Sequence, residues 1–79
     1  MEEVTFSPRG NRNWDMEDFD KAFSKIVEKK LEERTDQELR LQRAYLSWAD
    51  GADWDVALDI YKNCALSREE LIRDIAHYS

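Results

Sequence analysis

The groups able to do chemistry are few and scattered. His77 is the only imidazole and Cys64 the only thiol among 79 residues. A histidine at the close of a last helix reads as solvent-facing, and a cysteine on the apolar side of a helix reads as a small buried thiol. No glycine-rich phosphate loop, G-x-S-x-G elbow or H-E-x-x-H pair occurs. Eighteen carboxylates are present, but no spacing singles out a pair for acid–base work. The stretch Asp50-Gly51-Ala52-Asp53-Trp54-Asp55 has calcium-loop composition. A helix–loop–helix calcium site, however, needs acids alternating ahead of its glycine and a glutamate at the twelfth position. Here the glycine comes second and Tyr61 stands twelfth from Asp50. Helix capping by Asp50 and Asp53 accounts for the cluster. The expectation is therefore no catalytic residue, no metal, no cofactor and no enzyme.

The layout of charge says more. Residues 15–20 hold four acids and no base, and residues 50–59 hold four acids and no base. Between them, residues 21–43 carry seven bases against five acids, a mixture that reads as a solvated helix face. If the two acidic stretches meet in space, Trp14, Asp15, Glu17, Asp18, Asp50, Asp53, Asp55 and Asp59 form a negative, aromatic-edged surface. Such a surface suits a basic groove on another protein, where it would stand in for nucleic-acid phosphate.

These residues need elements to hold them. Met16, Phe19, Phe23, Ile26, Val27 and Leu31 recur at helical spacing, which predicts a first helix over 15–34 capped by Asn13 or Asp15. Thr35-Asp36-Gln37-Glu38 fits a capping box, so a second helix is expected over 36–49, closed by Gly51 in the left-handed region. One unbroken helix over 16–49 would run about 50 Å and would put Arg34, Gln37 and Glu38 inside the apolar stripe. A third helix over 54–65 carries Trp54, Ala57, Leu58 and Tyr61 on one side, with Val56 and Ile60 widening it. An apolar arc that broad marks it as the central helix. Ser67-Arg68-Glu69-Glu70 is a second capping box, opening a helix over 68–78 with Leu66 stapled onto Leu71. Residues 1–13 read as a flexible or extended arm, with Ser7-Pro8-Arg9-Gly10 as a turn. The fold expected is all-α: a small compact three- to four-helix bundle over 14–79 with that arm.

Composition bounds the rest. A chain of 79 residues forms one domain with a thin core. Two glycines and one proline leave helix favoured throughout. A net charge of −6 argues against direct binding of nucleic acid or anionic membrane, because cationic side chains drive both. No apolar run approaches the roughly 18 residues that span a bilayer. The single cysteine suits a reducing compartment, so a cytoplasmic protein is expected. Residues 23–39 (FSKIVEKKLEERTDQEL), an amphipathic segment followed by a capping box, resemble part of the small helical modulators that bind another nucleoid protein. No residue role is carried over from that likeness.

Two functions follow as expectations. The first is a non-enzymatic module that inhibits or modulates a basic protein partner, as small phage or mobile-element inhibitors do when they occupy a nucleic-acid site. The alternative is a structural or assembly subunit that docks or self-associates, as a homo-oligomer, through an apolar helical face.

Overall fold

Asn11 opens the first helix, α1 (Arg12–Ile26), accepting the N–H of Asn13 at 3.2 Å. Gly10, at φ +86°, turns the chain into that cap, a backbone conformation that glycine adopts without penalty. The start near Asp15 expected from sequence is thus corrected by one turn, and neither Asn13 nor Asp15 is the cap. Asp15, Phe19, Ala22 and Ile26, at i, i+4, i+7 and i+11, form the buried stripe of α1. The computed structural model describes residues 3–78, so residues 1, 2 and 79 of the expected arm and domain lie outside the described part.

The first helix ends at Ile26, not at residue 34. Residues 27–34 are good helix formers, but propensity is a weak prior that tertiary contacts override. Here Lys29 turns inward to Glu38, and a single 3-10 turn at Leu31–Glu33 carries Leu31 to the core beyond. Arg34 then holds the connector: its Nε and Nη2 donate to the Lys29 carbonyl at 3.2 and 2.9 Å, and its Nη1 donates to Gln42 at 2.7 Å.

The second helix, α2 (Asp36–Ala49), begins with the expected capping box. Thr35 Oγ1 accepts the Glu38 N–H at 3.2 Å, and Glu38 Oε1 accepts the Thr35 N–H at 2.9 Å. It ends where Gly51, at φ +107°, returns its N–H to the Trp48 carbonyl. Next come α3 (Trp54–Asn63) and α4 (Arg68–Tyr78), the latter opened by Ser67, whose Oγ accepts the Glu70 N–H at 3.3 Å. The described residues contain four α-helices and no strand. The fold is all-α, and its radius of gyration of 11.7 Å is that of one tightly packed domain of this length, about 11.6 Å.

The hub of the bundle is α2, which packs against α1, α3 and α4. This corrects the expectation that α3 is central. The wide apolar arc of α3 is not wholly covered, since Val56 is 49% exposed. By contrast α2 buries a broad arc that includes the polar Glu38, Gln42 and Ser47. Two cores flank it. One is aromatic, centred on Phe19, whose ring lies 5.1 Å from Phe6, 5.5 Å from Tyr45, 5.8 Å from Trp48 and 5.1 Å from Trp54. Each such pair adds about 0.5–1.5 kcal/mol beyond area burial. The other is aliphatic, with Leu39, Leu71 and Ile75 at its centre and Cys64 and Leu66 packed against it.

The arm completes the aromatic core. Sequence reading allows a loose arm or one whose Phe6 tucks onto the bundle, and the structure has the second: Phe6 is buried among Phe19, Trp54 and Tyr61. An aromatic ring at that position gives the arm something to bury, and four of its main-chain N–H groups find acceptors on the helices.

Candidate functional site

The eight residues expected to form one acidic surface are divided by the fold. Asp15 is 3% exposed and faces inward. Its two oxygens accept the N–H groups of Arg9 at 2.6 Å and Gly10 at 3.2 Å, so it holds the turn that leads into α1. Asp18 is half-buried on the same side and pairs with Arg9 at 3.6 Å. Glu17 and Trp14 are exposed on the outer side of α1, Trp14 by 57%. Asp50, Asp53, Asp55 and Asp59 are all exposed.

Asp50 is the C-cap of α2 and Asp53 the N-cap of α3. The Asp53 side chain makes no capping hydrogen bond, and its carboxylate has no partner among the described residues. This departs from the expectation that capping explains Asp53. Asp55 and Asp59 lie one turn apart on α3, turned away from the buried Trp54, Ala57 and Tyr61. Of this group only Asp59 has a partner among the described residues, the neutral Asn63 amide at 2.8 Å.

Asp53 and Asp55 line a shallow open depression of about 440 Å³ with Gly10, Arg12, Trp54 and Leu58. Residues at the start of α1 and at the start of α3 thus border one depression, and Asp53 and Asp55 sit at the amino end of α3, where the helix dipole favours negative charge. The residue of α1 that lines this depression with the α3 acids is Arg12, not Asp15 or Asp18. Sequence reasoning missed this because it began the helix one turn too late.

It missed a second polar centre as well. Glu38, fully buried, accepts from Lys29 Nζ at 2.6 Å, from the Val4 N–H at 3.0 Å and from the Thr35 N–H at 2.9 Å. Burial alone would raise its pKa. Lys29 and the two main-chain donors outweigh burial and hold it below the ordinary carboxylate value. Burial lowers the pKa of the nearby Arg34 guanidinium, and Glu38 opposes that shift in part. Tyr45 is pushed up to about 12, chiefly because its hydroxyl donates to Asp20 at 2.6 Å. One signal for Glu38 was legible, since it falls within the apolar stripe of its helix.

Among the described residues, no group of three or more His, Cys, Asp or Glu side chains is placed to hold a metal ion. Cys64 is half-buried against the aliphatic core. No helix among the described residues is long and apolar enough to cross a membrane. No family model, no curated protein and no solved structure matches the chain. The likeness of residues 23–39 to nucleoid modulators gains nothing from these comparisons, and in the structure only residues 23–26 of its amphipathic part are α-helical ahead of the capping box.

Proposed function

We propose that the protein is a non-enzymatic, cytoplasmic binding module whose exposed acids at the start of α3 occupy a basic, nucleic-acid-binding site on another protein and so inhibit or modulate it. The observation that carries this reading is how the charges are used. Four ion pairs are formed among the described residues: Arg9–Asp18, Lys29–Glu38, Arg43–Asp74 and Arg68–Asp36. None draws on Asp50, Asp53, Asp55 or Asp59. Those carboxylates stay solvated and available to lysine and arginine of a partner, a layout that steers association and sets partner choice. Trp14 on α1, the most exposed large apolar side chain among the described residues, is a suitable anchor for the same partner.

The test is capture of partners from a cell extract at low and moderate salt, with and without nuclease. A basic nucleic-acid-binding protein that salt and added DNA both displace supports the reading. Capture that survives salt and ignores DNA contradicts it.

The alternative, docking or self-association through an apolar face, is favoured by one observation. Val56 is 49% exposed on α3, one turn from the half-buried Ile60. Sedimentation of the parent and of Val56→Lys separates the two readings: assembly through this face predicts an oligomer that the substitution dissociates.

A further inference from the structure

The arm is held in the manner of a bound peptide. Along residues 3–7, Glu3, Thr5 and Ser7 are exposed while Val4 and Phe6 turn inward, the period of two that marks an extended chain. The groups that receive it come from distant parts of the sequence. Glu38 of α2 accepts the Val4 N–H at 3.0 Å, and the Tyr61 hydroxyl of α3 accepts the Phe6 N–H at 3.1 Å. These pairs are 34 and 55 residues apart in the chain. The Phe6 ring fills a slot walled by Phe19 at 5.1 Å and by Trp54 and Tyr61, each at 6.1 Å.

Two acceptors at two-residue spacing, beside one aromatic slot, read a main chain and a single ring. They make no demand on the side chains in between, which is how extended peptides are recognised at protein surfaces. The arm is not enclosed from above. It borders an open groove of about 520 Å³, whose far wall is Lys21, Ala22 and Lys25 of α1.

We propose that the slot between α1, α2 and α3 is a binding site for an extended segment of a partner protein, with an apolar residue two places before a phenylalanine, and that residues 4–6 are its resident competitor. A partner segment meets only those molecules whose arm has lifted, so its apparent affinity falls by that fraction. A short tether keeps the arm at an effective concentration in the millimolar range. A segment identical to the arm therefore competes poorly against the intact chain, and well against a chain whose arm has lost its ring. The inference rests on the arm's contacts and not on the acids of α3, so each stands or falls without the other.

The probe is a dye-labelled synthetic peptide of residues 3–10, EVTFSPRG, titrated by fluorescence anisotropy into the full chain carrying Phe6→Ala and into the parent. Binding to the variant is expected to be tighter by about tenfold or more, the loss typical of removing an aromatic anchor. Replacing the peptide's own phenylalanine with alanine is expected to abolish that gain. Equal affinity for variant and parent overturns the proposal, as does undiminished binding of the ring-less peptide. Phe6→Leu keeps the slot partly filled and is expected to give a smaller gain. If Phe6→Ala lacks the helical circular dichroism of the parent, Phe6→Leu decides by the same criterion, and no gain there overturns the proposal.

Discussion

The acids of residues 15–20 and those of residues 50–59 match in number and sign, yet the fold engages three of the first four, leaving only Glu17 without a partner among the described residues, and leaves the second four in solvent. Asp15 secures the Arg9–Gly10 turn, Asp18 pairs with Arg9, and Asp20 accepts from Tyr45 of α2. Asp50, Asp53 and Asp55 have no partner among the described residues, and Asp59 has only a neighbouring amide. The difference lies in what passes within reach. The arm brings main-chain N–H groups and a guanidinium to the acids of α1, whereas the depression beside Asp53 and Asp55, lined by Gly10, Arg12, Trp54 and Leu58, gives them no ion pair among the described residues. An acid that finds donors becomes part of the fold, and one that finds none keeps its charge for another molecule.

This contrast can be broken from either side. The largest effect is expected at Glu38, the most deeply turned-in acid. Glu38→Ala breaks the buried ion pair with Lys29 and removes the acceptor of the Val4 and Thr35 N–H groups, which costs about 3–5 kcal/mol, read as a lowered urea midpoint. The same pair predicts a pH dependence. Glu38 titrates below its ordinary value of 4.5, so its contribution is whole above 4.5 and is lost as pH falls through the lower folded value. Acid titration of Glu38→Gln should lack that loss. A slope identical to the parent's would place the acid sensitivity elsewhere.

Asp15→Ala is expected to cost about 1–3 kcal/mol, because it strands two main-chain donors at the turn into α1. Amide exchange at Arg9 and Gly10 should accelerate in step, and unchanged exchange would show that Asp15 does not hold the turn. Tyr45→Phe is milder, about 0.5–1.5 kcal/mol for one hydrogen bond. Because Tyr45 titrates near 12 in the fold, above its ordinary 10, its bond stabilises fully below 10 and is lost as pH rises through 12. The variant should show no such alkaline loss. The smallest effect belongs to the outward acids: Asp53→Asn, Asp55→Asn and Asp59→Asn should each move stability by less than about 0.5 kcal/mol.

Local chemistry was readable in the sequence, and distant pairing was not. The opening of α2 by Thr35 and Glu38, its close at Gly51 and the opening of α4 by Ser67 all rest on bonds within a few residues. The exposure of Asp55 and Asp59 follows from their helical phase relative to Trp54, Ala57 and Tyr61. The end of α1 at Ile26 was hidden, because it depends on Lys29 reaching Glu38 and Leu31 reaching the aliphatic core. The inward turn of Asp15 was hidden too, because its donors lie in a loop whose path is set by Gly10 and by Phe6 seeking its slot. The position of α3 was misjudged for a related reason. A wide apolar arc shows what a helix can bury and leaves open whether a neighbour arrives to cover it.

The most direct test of the central claim is to combine Asp53→Asn, Asp55→Asn and Asp59→Asn in one chain and to measure capture of a basic nucleic-acid-binding partner alongside thermal unfolding. The account predicts that capture is lost while the melting curve stays with the parent's. Capture at the parent's level by a chain that melts like the parent would contradict it.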